Sequence, residues 1–277
     1  MSTATVPRAR AATPIRVTNP ALDVMEPRTR EAFAELMLFM ADSELIIGHR
    51  HSEWTGFAPT AEEDVAFSSI AQDEMGHAHL YYALIAGVAD ESAVDRLALD
   101  RGPRDLRHLP ALHAPNGDWF YTIARHVYWD VFENTFLTAA RESRAPLLPA
   151  AAQRILNEER YHLEHAEEWL RLLSRRGPQR RRLARAMQKV VGHASNAARD
   201  LPGVDELARA GLFATREDLT AAFRAALLGR LEHSWSPGEV GPVVAALATR
   251  PMAAPPGRYQ VHRDLTGLRR AHPGATW

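Results

Sequence analysis

Two Glu-x-x-His motifs, Glu74-Met-Gly-His77 and Glu159-Arg-Tyr-His162, stand late in the second arms of two helical hairpins predicted from the hydrophobic pattern. Each first arm carries a partner glutamate, Glu44 in one and Glu133 in the other. Four carboxylates and two imidazoles spread in this way over four helices make up the ligand set of a carboxylate-bridged di-iron site in a four-helix bundle. Six such groups inside an apolar bundle would be very costly if unpaired, so metal ions also account for their burial. The chain is therefore expected to be all-α around a metal centre.

The helices follow from periodicity. Ala34, Leu36, Met37, Met40, Leu45 and Ile47 recur at three- and four-residue spacing, which predicts a core-facing helix over about 28–52. Trp54-Thr-Gly-Phe-Ala-Pro59 reads as a turn, and Thr60 with Glu63 forms a capping-box pattern that starts a second helix over about 60–87. The stretch Leu99–Gly117 reads as a long crossover loop. A third helix over about 119–142 is aromatic on one side (Trp119, Phe120, Tyr128, Trp129, Phe132, Phe136), a side that reads chiefly as core. Pro146 and Pro149 bracket a turn, and a fourth helix runs from about 150 to 174, stopped by Gly177-Pro178. Further helices are expected at 179–199, 204–211 and 216–232. Residues 1–27 are expected to be a mobile arm, 28–277 the helical domain, and the part from Ser236 onward an irregular tail.

Placement gives the motifs their weight. With 20 Glu and 13 His in 277 residues, about one Glu-x-x-His is expected by chance. In an antiparallel hairpin, however, residues equidistant from the turn lie at one height. Glu44 and Glu74 are centred on position 59, and Glu133 and Glu159 on 146, each inside its turn. Their depths below the turns, about 15 and 13 residues, are ~22 and ~20 Å at ~1.5 Å per residue, so all four can meet in one layer. Carboxylates can bridge two iron ions and change binding mode, while imidazole completes each ion and leaves positions open for dioxygen.

Neighbouring groups leave alternatives. Glu158 could pair with His162 at i,i+4 in place of Glu159, and Asp130 is the alternative to Glu133. Asp73 reads either as an acceptor for the hydrogen bond of a ligating imidazole or as a solvated helix carboxylate. His49, His51, His79 and His165 read as surface or packing histidines. Arg175, Arg176, Arg180, Arg181, Arg182 and Arg185 read as a solvated face, with docking of an acidic partner or coenzyme A phosphates as the functional alternative.

The chain has no cysteine, which excludes disulfides, thiolate chemistry and Cys-ligated zinc or iron–sulfur sites, and suits a reducing cytoplasm. A formal charge of −1 gives no reason to expect nucleic acid or an anionic membrane as partner, and no apolar run approaches the ~20 residues of a membrane helix.

Gly48-His-Arg-His-Ser-Glu-Trp54, followed by Ala58-Pro59 and Glu62-Glu63-Asp64, resembles the phenylacetic acid catabolic proteins, ferritin-like subunits of a multicomponent phenylacetyl-CoA oxygenase (epoxidase). Tyr161-His162-Leu163, Trp169-Leu170 and the terminal Pro273-Gly274-Ala275-Thr276-Trp277 are similar to the same family, over about residue 35 to the end. The resemblance implies a ferritin-like fold, related helical subunits in a homo- or hetero-oligomer, and a role in phenylacetate catabolism. Within the family the features look most like the structural subunit, which typically lacks a complete metal set. This chain departs from that pattern in carrying all six ligand residues.

The expected activity is that of a di-iron monooxygenase, with Glu44, Glu74 and His77 on one iron and Glu133, Glu159 and His162 on the other (Mn/Fe being the other metal pair). Dioxygen would oxygenate an aromatic or acyl small molecule. With no cysteine and no dinucleotide fingerprint, electrons would come from a separate reductase. The rival expectations are a non-catalytic scaffold subunit and a ferritin-like ferroxidase.

Overall fold

The computed structural model describes residues 17–87, 90–252, 254–273 and 275, and these form helices and loops with no strand. Two hairpins make the bundle: α1 (Pro27–Ser52) with α2 (Ala61–Ala86), and α4 (Trp119–Arg141) with α5 (Leu148–Ser174). All four long helices fall within about two residues of their sequence-predicted bounds. Pro27 opens α1 where its missing N–H is harmless. The turn into α2 is drawn together by Asp64, whose Oδ1 accepts the Gly56 and Ala58 N–H groups at 3.0 and 2.9 Å. Thr60 Oγ1 accepts the Glu63 N–H, but the Glu63 carboxylate bonds to His165 instead of returning to the cap.

The helix α4 is buried almost all round. Beyond α5 it is covered by α6 (Gly177–Ala194) and α8 (Arg216–Ser234), which follows the short α7 (Val204–Arg209). The Tyr128 hydroxyl donates to the Ser195 carbonyl at 2.7 Å and accepts the Ala197 N–H at 3.0 Å, and Phe132 meets Phe223 edge-on at 5.6 Å. The aromatic side of α4 is thus core between helices. Because all its sides face protein, the polar residues of α4 are forced inward, including Arg125, His126, Asp130 and Glu133.

The crossover over 99–117 is a loop as expected, with one 3-10 turn at Pro110–His113; α3 (Glu91–Leu99) precedes it, and Asp42 on α1 accepts from Arg101, from the Tyr82 hydroxyl at 2.6 Å and from the Arg107 N–H at 2.5 Å. Two other expectations need correction. The tail is not irregular: it carries α9 (Pro237–Ala248) and α10 (Arg258–Ala271). Ser236-Pro-Gly-Glu239 is a capping box with proline at the first helical position, so the Pro and Gly that suggested irregularity start a helix. Gly257 then turns at φ +125° against the His113 carbonyl, and His262 Nε2 lies 2.8 Å from the Arg101 carbonyl, fastening α10 to the crossover. Of the arm expected over 1–27, residues 1–16 lie outside the described residues. Residues 18–22 are docked on α2, with Leu22 fully buried and the Asn19 amide donating to the Leu84 carbonyl at 2.9 Å. Part of the terminal Pro273–Trp277 segment also lies outside the described residues. Among those described, no helix is long and apolar enough to cross a membrane.

Candidate metal centre

All six sequence-predicted ligands converge between the hairpins. Glu44, Glu74, Glu133 and Glu159 are fully buried, and His77 and His162 are 2% exposed. Their donor atoms form three groups in which every atom is within 4.8 Å of the others: Glu44, Glu74 and His77; Glu74, Glu159 and His162; and His77, Glu133 and Glu159. His162 Nδ1 lies 2.7 Å from Glu159 Oε1, and His77 Nδ1 lies 3.4 Å from Glu159 Oε1 and 3.8 Å from Glu74 Oε2. Glu74, His77 and Glu159 each belong to two of these groups, so the three sets overlap at one point. Glu133 joins through Glu159 and His77, not through His162.

The outer nitrogens cross the bundle. His77 Nε2 is 2.8 Å from Glu158 and His162 Nε2 is 3.3 Å from Asp73, so each imidazole points Nδ1 at the centre and Nε2 at the carboxylate preceding the other motif's glutamate. Asp73 takes the supporting place expected of it. Glu158 pairs with His77, leaving Glu159 to His162. Asp130 is buried but faces His126 at 3.1 Å and joins none of the three groups.

The electrostatics call for positive charge. Burial, with the charges of Glu133 and Glu74, pushes the Glu44 carboxyl well above the usual range, and burial with Glu159 does the same to Glu133. Burial disfavours the imidazolium, yet the surrounding carboxylates outweigh it and push His77 up to about 9 and His162 up to about 12. Burial also opposes ionisation of Glu74, but Glu44, His77 and His162 hold it well below the carboxylate range. Three of the four carboxyls and both imidazoles thus favour their protonated forms while Glu74 stays ionised, the behaviour of an acidic donor set suited to cations.

Reading the sequence missed a second buried set. His51, His126 and Asp130 are fully buried, His165 and Glu63 are half-buried, and Tyr81 contributes a buried hydroxyl without a hydrogen-bond partner. Spacing carried the signal. His51 follows Glu44 by seven residues, His126 precedes Glu133 by seven, and Glu63 precedes Glu74 by eleven, each an interval that returns to the same helix face. His79 is exposed and His49 half-buried. Within the arginine cluster, Arg180 pairs with Glu239, and Arg182 pairs with Asp118 and covers the Phe120 ring at 4.5 Å, while Arg175, Arg176, Arg181 and Arg185 are exposed or partly so.

Two helical hairpins enclosing buried carboxylates and imidazoles, with a Glu-x-x-His on the second arm of each, define a ferritin-like protein. The chain belongs to the phenylacetic acid catabolic protein family, whose model matches residues 15–277. A relative, one of the subunits of the 1,2-phenylacetyl-CoA epoxidase of Escherichia coli (strain K12), is 35% identical over 136 residues. That match covers 49% of this chain and 55% of the relative, so the chain spans about half the length of the curated relative it matches.

Proposed function

We propose that this chain is an oxygen-activating di-iron component of an oxygenase acting on an aromatic or acyl substrate of the phenylacetyl-CoA kind. One observation carries the reading: all eight oxygens of the four buried glutamates and Nδ1 of both histidines face one another in the interior, with no well-aligned hydrogen bond to any of them even where His162 Nδ1 stands 2.7 Å from Glu159 Oε1. Buried polar groups without partners are rare and costly, and a cluster of hard anionic oxygens with two imidazoles fits a pair of iron or manganese–iron ions. Glu44, Glu74 and His77 would hold one ion and Glu133, Glu159 and His162 the other. The chemistry supplied by a bound ion pair is reduction of dioxygen with two external electrons.

The chain's own part is to fix the donors and keep the centre dry. Glu158 and Asp73 orient the imidazoles from outside, and the fully buried Phe67 packs against His51 and His126. The electron donor would be a separate reductase, and related helical subunits would complete the assembly. A second reading, a structural subunit without turnover of its own, is favoured by the relative's description as one subunit of an epoxidase.

Metal analysis separates the readings. Protein purified from iron-supplemented cells should hold two metal ions per folded chain, and well under one would count against the site. Glu74→Ala should remain purifiable, lose metal, and abolish reductase-supported oxygenation of phenylacetyl-CoA in a reconstituted complex. If activity survives both Glu74→Ala and His162→Ala, the structural reading holds instead.

A further inference from the structure

Outside the six ligands, two more buried imidazoles fasten the last helix of the chain to its middle. His108 Nε2 lies 2.7 Å from His113 Nδ1, and His113 Nε2 lies 2.8 Å from the Pro255 carbonyl. Both residues are buried, at 4% and 1% exposure. Pro255 leads into the Gly257 turn, and a Cβ at Gly257 would collide with the His113 carbonyl, so the tail lies directly on this histidine's backbone. Arg50 on α1 donates to the same carbonyl at 2.7 Å. Beyond the turn, Arg258 donates to the Leu106 carbonyl at 3.1 Å and His262 Nε2 lies 2.8 Å from the Arg101 carbonyl. The start of α10 is thus tied to the crossover by side chains that reach backbone oxygens.

These hydrogen bonds fix where the protons sit. A carbonyl can only accept, so His113 donates from Nε2; burial outweighs that bond and lowers His113, so the ring is neutral and accepts at Nδ1. His108 must then donate from Nε2, which leaves its Nδ1 bare, buried and without a partner. Neither ring has room for a second proton. On His113 Nδ1 it would set two N–H groups against each other, and on His108 Nδ1 it would bury a cation with no acceptor. The charged and titratable groups facing the pair are Arg101 from the crossover, Arg258 on α10, Arg50 on α1 and His193 on α6, and none of them is an anion. Arg50 and Arg101 hold Glu53 and Asp42 as their own partners. Burial, then the neighbouring ring and guanidiniums, keeps His108 well below the usual imidazole range.

We infer that His108 and His113 form an acid-released latch on the C-terminal helix. While both rings are neutral they hold the Pro255–Gly257 turn, and with it α10, against the crossover and the end of α1. Arg258 is the first residue of α10 and faces both rings, so a proton on either one repels the element that covers them and draws water in beneath it. One proton is taken up from solvent, hydrogen bonds are lost, and no covalent bond changes. Because both rings charge less readily in the folded chain than in the unfolded one, the closed state is fully stable above about pH 6.5 and loses stability as the pH falls below it. The His262 bond does not share this property, since a ring that donates to a carbonyl still donates when charged. The inference needs no metal and stands apart from the oxygen-activating reading.

Hydrogen exchange of the full chain, read by mass spectrometry and corrected for the intrinsic pH dependence of exchange, tests it. Between about pH 7.5 and about pH 5.5 the protection of residues 254–271 should fall about 10-fold or more, while α1, α2, α4 and α5 stay protected. In the double variant His108→Gln/His113→Gln the amides can donate along the same line but do not titrate, so protection of the segment should be equal at both pH values. Protection independent of pH in the wild type, or an acid loss of equal size in the double variant, would overturn the latch. Opening of the whole bundle together with the tail would overturn it too. Should the double variant not fold, histidine 15N NMR of the wild type decides. At the upper pH both rings must be neutral with the proton on Nε2, and at least one must charge over the range in which the segment loses protection. A proton on Nδ1 in place of Nε2, or an imidazolium at the upper pH, would reject the latch.

Discussion

Asp73 and Glu158 immediately precede the two motif glutamates, yet each serves the other motif's imidazole across the bundle. A carboxylate on the outer nitrogen fixes the tautomer and aims the Nδ1 lone pair at the centre. Glu158→Gln and Asp73→Asn should therefore each raise the metal dissociation constant about 10–100-fold, with Glu158, the shorter contact, giving the larger effect. Competition with a chelating dye measures this, and unchanged affinity in both variants would reduce the contacts to surface dressing. The convergence of the six residues was legible because helix spacing and hairpin height are both written in one chain. The partner of Glu158 was not, since spacing along one helix says which residues share a face but not whom they meet on a facing helix. His51 and His126 were legible in principle, at seven residues from Glu44 and Glu133, but a histidine's burial depends on what faces its helix, and here Phe67 on α2 stands against both.

Close approach of α1 and α2 sets the geometry around Glu74. A Cβ at Gly48 would stand 3.0 Å from the Glu74 Cβ and 3.1 Å from the Ala71 carbonyl, neither of them a flexible chain end. Gly48→Ala should thus wedge the hairpin open at the centre, costing about 1–3 kcal/mol and lowering metal content. Gly76 lies on the other side of α2, between Glu74 and His77, with open space at its Cβ. Gly76→Ala should stabilise by about 0.5–1 kcal/mol through helix propensity and leave the metal in place. Urea midpoints and metal content of the pair check this; equal effects would mean that the hairpin spacing is not held at Gly48. The long helices could be read because their apolar period persists over many turns. Helices α9 and α10 were missed because they are short and begin at Pro237 and just after Gly257, residues that punctuate loops and helix starts alike.

Protons and the metal ions proposed above would compete for the same six buried groups. Folded Glu44 and Glu133 keep their protons well above 4.5, and His77 and His162 keep theirs up to about 9 and about 12. Stripped of metal by a chelator, the folded protein should then bind more protons than the unfolded chain between pH 7 and 9, and its stability should fall as pH rises across that window. Buried His51, His108 and His126, with lowered values, do not change the sign, because above 6.5 they are neutral in both states. Glu74, held low, is likewise ionised in both. Each extra proton kept by the folded state costs about 1.4 kcal/mol per pH unit. Bound metal reverses the dependence, since it takes the ligands deprotonated and binds more tightly as protons become scarce. The urea midpoint of chelator-treated protein should therefore drop from pH 7 to 9, while that of metal-loaded protein should be higher at both and hold or rise. Identical midpoints with and without metal would mean that the six groups, though gathered at one point, do not share an ion; a gap that widens with pH is what a carboxylate–imidazole metal centre requires.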